Sequence, residues 1–424
     1  MENDEMTENT MNKRIATALL LALATAACDS IIEVRLGDRV EESTLEGPDA
    51  AALLAASVQA TFECAYSGYN HAMGLFGDEL NSMGNTVIYS YDRRDPSPAG
   101  GFVGVYADGD CASPGLYKPL SSARWFADNV SEKLRSWSDG DVPGRMGLLA
   151  STAAYSGYSL VLLGESMCSA AIDEGPELSQ NDLFALAEER FNEAVTAATS
   201  SGRGDILGLA TLGRARARIN MGNTAGAASD AAQIPAGFAY MATYDGATPT
   251  NAERRNELAY NMHLVAGTGL DPAFWNVEWQ GVPDPRVASQ SRGLTTLGVE
   301  HVLQLKYPTV NSPIPLARWA EAQLILAEAA GGQTAVDIIN ALHERAGIPP
   351  FDATGLSDAR IMEQVIEERR RELFLEGHRA YDRARYGLPL YPAAGSPYRW
   401  GGVHGPATCF PLPNVERDNN PNIP

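Results

Sequence analysis

Apolar positions in this chain recur at steps of three and four residues over most of its length, and alternate in only a few short places. PDAAALLAASVQATFECAYSGY opens on Pro48 and Asp49, which suit a helix start. A second helix is predicted from Ser121 to about Trp137, a DGDVPG turn follows, and a third helix runs from about Arg145 to Ala170. In NDLFALAEERFNEAVTAA, Leu183, Leu186, Ala187, Phe191 and Ala194 share one face. Near the C-terminus IPLARWAEAQLILAEAAGG and TAVDIINALHERAG form another pair, the second with Ala335, Ile338, Ile339, Leu342 and Ala346 inward. Strand-like alternation is confined to NTVIYSY (85–91) and HVLQLKY (301–307).

Between the helices lie two irregular stretches. Residues 92–119 are rich in Gly, Pro, Asp and Ser, and a loop of that length is uncommon unless functional. Residues 236–312 are rich in Gly, Pro, Asn and aromatics and read as a loop-dominated insert. In ILGLATLGRARARINMGNTAGAASDAAQIP, the Leu212-Gly213 pair, Ala225 and Ala232 put small residues where two antiparallel helices touch, with Pro235 at the exit. These are degenerate tetratricopeptide spacings. The fold expected is mainly α: tetratricopeptide-like helix pairs stacked as a short solenoid, with long inserted loops and a few short strands. Its single domain, 49–424, divides into a helical part 49–235, the insert 236–312 and a second helical part 313–424.

The N-terminus changes the picture. Lys13 and Arg14 precede the apolar run Ile15 to Ala27, which ends at Ala26-Ala27-Cys28. A charged start, an apolar centre and a small-residue cleavage site read as a secretory signal over residues 1–27. The run is too short to cross a bilayer as a helix, and no later stretch reads as a membrane span. Ala-Ala-Cys resembles a bacterial lipobox, which predicts acylation of Cys28 and a polar tether over 28–48. Thr25 departs from the usual Leu, and the acidic MENDEMTENT upstream makes Met11 an alternative start.

The formal charge is −21, from 53 acidic and 32 basic side chains. Phosphate binding needs a basic surface, so nucleic acid is excluded as a partner. No GxSxG, GxxxxGK[ST], HExxH or GxGxxG pattern occurs, and no two of the six histidines lie three or four residues apart. No metal or cofactor is expected. The densest charge lies in VIEERRRELFLEGHRAYDRARYG (365–387). Read as one helix, it lines up Met362, Val365, Ile366, Arg369, Leu373, Glu376 and Ala380, with Glu372 beside them. Glu372 and Glu376 could then act as an acid/base pair. The surrounding arginines favour ionised carboxylates, so Arg369, Glu372, Glu376 and Arg379 are assigned instead to a structural ion-pair network.

The same segment resembles the ER-x-x-EL-x-x-EG-x-R-x-x-D-x-x-R block of the SusD/RagB nutrient-uptake lipoproteins, through Glu368, Arg369, Glu372, Leu373, Glu376, Gly377, Arg379, Asp382 and Arg385. IPLARWAEAQLILAEA (314–329), INALHERAG (339–347), Asp284-Pro285-Arg286 and FPLPNVERDNNPNIP (410–424) are similar to further blocks of that family, in order. His343 and Leu412 depart from the pattern. The resemblance implies a surface-exposed lipoprotein of the outer membrane, with a SusC-like TonB-dependent transporter as partner. Such a protein captures oligosaccharides, or peptides, and hands them inward without catalysis. An exported glycoside hydrolase and a helical scaffold for another protein are the alternatives.

Ligand contacts are expected on the loops, where exposed aromatics and planar polar groups can meet sugar faces. Two regions qualify: 77–94, with Asp78, Asn81, Tyr89, Tyr91 and Arg93, and 271–279, with Trp275 and Trp279. The two tryptophans, four residues apart, fit equally the inner face of a short helix. Four cysteines beyond Cys28 suggest two disulfides, for which three connectivities exist. Antiparallel packing of the helices at 121–137 and 145–170 levels Cys111 with Cys168 and leaves Cys64 for Cys409.

Overall fold

The computed structural model describes residues 45–84, 88–101, 104–246 and 252–423. The signal segment, Cys28, almost all of the tether, and residues 85–87 of the NTVIYSY run lie outside the described residues. Residues 48–424 form one compact unit. Its principal helices are α1 (Ala51–Phe76), α2 (Tyr117–Ser136), α3 (Arg145–Ser166), α4 (Gln180–Ser201), α5 (Gly204–Asn220) and α6 (Thr224–Ala231). After the insert come α7 (Trp319–Ala330), α8 (Gly332–Ala346), α9 (Asp358–Glu372) and α10 (Arg379–Arg385).

The expected helical pairs are present: α2 packs on α3, α4 on α5, and α7 on α8. Helix α6 also packs on α7 across the whole insert, and α9 lies against both α7 and α8. Caps set the ends locally. Ser179 and Asp182 form a reciprocal capping box at the start of α4, and Gly202 closes it in the left-handed region. Asn223 caps α6 through Gly226 N–H, so the segment 206–235 is divided at Met221–Asn223.

The core is built around α3. By length and composition this helix could cross a membrane, contrary to the sequence reading, but 83% of its apolar window is buried inside the fold. The small-residue contact at Gly213 is real. A Cβ there would stand 2.4 Å from the Phe191 ring, so only glycine lets α5 close on α4. Phe191 is fully buried and stacks edge-on with Tyr158, with centroids 5.1 Å apart. Burying such a ring contributes about 1.5–3 kcal/mol. Ala335, Ile339 and Leu342 of α8 are buried as expected.

Strands occur only as two-stranded antiparallel pairs among the described residues. The expected strand at 301–307 is Glu300–Gln304, paired with Ser289–Leu294. The expected strand at 85–91 is not found where it is described: Tyr89–Asp92 is a helical turn.

The disulfides correct the predicted pairing. Cys64 bonds Cys111, and Cys168 bonds Cys409. Helices α2 and α3 do pack together, but Cys111 precedes α2 on a segment that folds against the middle of α1, where Cys64 sits. Cys168 N–H donates to Phe410 O at 2.8 Å, and Phe410 N–H to Ser166 O at 2.9 Å. The C-terminal segment therefore runs along the end of α3 and delivers Cys409 there.

Candidate functional site

The two loop regions singled out in the sequence are brought together by a short ladder. Leu80–Ser82 pairs antiparallel with Thr268–Leu270, in the register Leu80↔Leu270, Asn81↔Gly269 and Ser82↔Thr268. Asp271 N–H continues it, donating to Glu79 O at 3.1 Å. Behind the ladder, Glu79 accepts Leu375 N–H at 2.8 Å, which ties it to the turn after α9. Burial pushes the Glu79 carboxyl up to about 8.

A third segment closes the site. Residues 391–404 fold over the ladder and are fastened by Trp400 Nε1 donating to Ser82 O (3.0 Å) and by Tyr398 OH donating to Asp92 Oδ2 (3.1 Å). The Tyr398 ring meets His404 edge-on at 5.0 Å. Arg94, almost wholly buried, donates to the carbonyls of Tyr391 and Pro392 and holds the near end of the segment. The cleft so formed has a volume of about 260 Å³. Its walls include Asn81, Asp92, Asp271, Tyr398, Arg399 and His404.

Two carboxyl groups face this cleft. Asp92 Oδ2 also accepts Ser82 N–H at 2.9 Å, and Asp271 Oδ1 accepts Ala273 N–H at 2.9 Å, capping the turn Pro272–Phe274. Burial pushes Asp92 up to about 6 and Asp271 up to about 7, against weaker downward pulls that include Arg399. Burial also moves His404 below the usual histidine range.

Of the residues proposed from the sequence, Asn81 lines the cleft. Asp78 lies behind it, bonded to Arg383 at 2.6 Å and to Arg379 at 3.1 Å. Tyr91 is buried in the core, edge-on to Phe410, with its hydroxyl donating to Pro114 O. Tyr89 is half-buried beneath the Arg93 guanidinium, which also pairs with Asp95. The tryptophans do not share a helix. Trp275 donates its Nε1–H to Leu270 O at 2.9 Å, whereas Trp279 lies in a tight hairpin, edge-on to His343 at 5.0 Å. The sequence reading missed Asp92, Asp271 and the whole 391–404 segment. SPYRWGGVHG carried a usable signal, since it sets Tyr, Arg and Trp in a Pro- and Gly-rich stretch.

The charged segment 365–387 is not one helix. It breaks after Glu372 into a turn in which Leu375 and Gly377 have φ of 55° and 78°, and a Cβ on Gly377 would stand 2.5 Å from the Tyr69 ring. The four residues expected to form one network therefore reach separate partners. Arg369 makes a two-bond pair with Asp382 at 2.9 Å, and Arg379 turns to Asp78. Glu372 and Glu376 do converge, on Arg318: Nη1 lies 2.6 Å from Glu372 and Nε 2.9 Å from Glu376. Arg286 adds a bond to Glu372 at 3.1 Å, and Lys306 one to Glu376 at 2.6 Å. Burial would raise the Glu372 carboxyl, but Arg318 and Arg286 beside it hold it below its usual range. A carboxylate held in this way, as Glu372 is, is a committed ion, which suits packing and not proton transfer.

Residues 304–423 match the SusD family pattern. No curated protein matches the sequence significantly. Solved structures of similar fold include a SusD superfamily protein from Bacteroides thetaiotaomicron VPI-5482, at TM-score 0.67 and 15% identity, covering 89% of this chain and 99% of that one. A SusD-like carbohydrate binding protein from Bacteroides vulgatus ATCC 8482 aligns at TM-score 0.65 and 14% identity, over 89% and 97%. A laminarin binding SusD-like protein aligns at 0.65 and 16%, over 89% and 98%. The expected resemblance is borne out as a resemblance: residues 304–423 match the SusD family pattern, and the fold is similar to that of SusD superfamily proteins.

Proposed function

We propose that this chain, SusD-like in its C-terminal sequence and in fold, is a carbohydrate-capturing lipoprotein. It takes oligosaccharides in the cleft under residues 391–404 and passes them to a TonB-dependent transporter in the outer membrane. The observation that carries the reading is the cleft itself, which joins three distant loops on a helical frame. It sets the Tyr398 and Tyr391 rings beside Asn81, Asp92, Asp271 and Arg399, the pairing of flat apolar faces with few planar polar groups that sugars require. Two proteins similar in fold are a SusD-like carbohydrate binding protein and a laminarin binding SusD-like protein, which supports the same class of ligand. Acylation at Cys28 supplies the anchor, and mass spectrometry of the membrane-extracted protein should find a lipidated N-terminus there.

Calorimetric titration with a panel of oligosaccharides and peptides tests the reading, comparing wild type with Asn81→Ala and Tyr398→Ala. Each variant should keep the fold and lose roughly tenfold or more in affinity. Full affinity in both would place the ligand elsewhere. A second reading, glycoside hydrolysis, is favoured by two carboxyl groups in one cleft. Hydrolysis needs one carboxyl held neutral and the other ionised, whereas here burial raises both. Shortened products after prolonged incubation with the panel would establish it.

A further inference from the structure

The floor of the cleft is rich in acceptors and poor in cations. Asp92 and Asp271 are 8% and 6% exposed, and neither forms an ion pair among the described residues. Each spends one carboxylate oxygen on the protein and keeps the other. Asp92 uses Oδ2 for both Ser82 N–H and Tyr398 OH, and Asp271 uses Oδ1 for Ala273 N–H. The cations behind them are engaged elsewhere: Arg94 with the carbonyls of Tyr391 and Pro392, and Arg383 and Arg379 with Asp78. Arg399 stands exposed at the rim. A third acceptor points the same way. Asn81 is 7% exposed and lines the cleft; its Nδ2 donates to Leu270 O, while its Oδ1 accepts no hydrogen bond.

Buried carboxylates persist as ions only when a cation and hydrogen bonds compensate them. Several buried acids of this molecule have that compensation, among them Asp78, Asp284, Glu368 and Asp382, whereas Glu79, behind the ladder, forms no ion pair among the described residues. In the cleft neither acid has a cation bonded to it, Arg94 acting on Asp92 and Arg399 on both only from a distance, and an acceptor left unbonded beside the two acids calls for donors from outside.

Resting on the carbohydrate reading above, we propose that the cleft selects a glycan unit bearing a free protonated amine, a 2-amino-2-deoxy sugar. Its ammonium sits between the free oxygens of Asp92 and Asp271, and a neighbouring hydroxyl donates to Asn81 Oδ1. An ammonium offers three donors and no acceptor, the complement of this floor. A uronic or sulfated sugar would bring an anion against two acids, a repulsion that excludes it.

The test uses the full chain and four trimers in calorimetric titrations near neutral pH: glucosamine, N-acetylglucosamine, β-1,3-glucose and galacturonate. The glucosamine trimer should bind roughly tenfold or more tightly than its N-acetylated form, and galacturonate not at all. The preference should fall with added salt and collapse in both Asp271→Asn and Asp92→Asn, two variants that preserve side-chain shape. If the neutral trimers bind as tightly as the amine, and Tyr398→Ala weakens them, the amine inference is overturned while the carbohydrate reading stands. Amine binding unchanged in both Asn variants would mark nonspecific attraction to an acidic protein and overturn the inference too. If no trimer binds, the inference and its premise fall together.

Discussion

Replacing Asp271 with asparagine should make the unliganded protein more stable, and the effect should depend on pH. The carboxyl is 6% exposed, and burial raises it from 3.8 to about 7. A group whose folded value lies above its unfolded one contributes stability that is fully present below the unfolded value. That contribution is lost as pH rises through the folded one. At pH 8 the ionised carboxylate therefore burdens the folded state, by at most roughly 4 kcal/mol from the linkage relation. Mutational costs of buried polar groups, about 1–3 kcal/mol, make roughly 2 kcal/mol the working figure. Asparagine removes the charge and keeps an oxygen for the 2.9 Å bond from Ala273 N–H. Urea unfolding of the oxidised protein should show the variant more stable by about 2 kcal/mol at pH 8 and nearly equal to wild type at pH 4. An equal difference at both pH values, or a loss of stability at pH 8, would refute the reasoning.

Other perturbations separate structure from capture. Glu376→Ala leaves Lys306 without an ion partner and Arg318 with Glu372 alone, and should cost roughly 3–5 kcal/mol in denaturant unfolding. Trp279→Ala removes a ring packed on His343 and Phe351, and should lower stability by roughly 3 kcal/mol while leaving glycan affinity unchanged. Non-reducing peptide mapping should recover Cys64–Cys111 and Cys168–Cys409. Replacing the second pair with alanines should cost roughly 3–5 kcal/mol, since it closes a loop of 241 residues.

Helical pairing was readable in the sequence because it rests on local spacing. The Gly213 contact with Phe191 and the inward face of Ala335, Ile339 and Leu342 follow from the pitch of a helix. What was misread depends on where the backbone bends. The break at Leu373–Gly377 replaces a helical face with a turn, marked by the left-handed Leu375 and Gly377. The disulfides were misassigned because their cysteines lie in or beside segments whose course is set by contacts far along the chain. Half of the cleft was legible: Asn81 and the 271–279 region fell in loops chosen for their aromatic and polar content. Asp271 stood at the edge of that region and Asp92 inside the other, but burial, not residue type, distinguishes them from the acids at the surface.

The connectivity of the disulfides bears on how the chain matures. It leaves the ribosome N-terminus first, and each cysteine of the folded unit is bonded to the next one to emerge, Cys64 to Cys111 and then Cys168 to Cys409. Oxidation in order of appearance thus yields the native bonds directly, with no reshuffling of a wrong pair. Cys168 must nevertheless stay reduced while 240 further residues pass, because its partner stands 241 positions on. The second bond can form only after residues 391–404 have also emerged. A completed Cys168–Cys409 bond is therefore a chemical record that every wall of the cleft has been made.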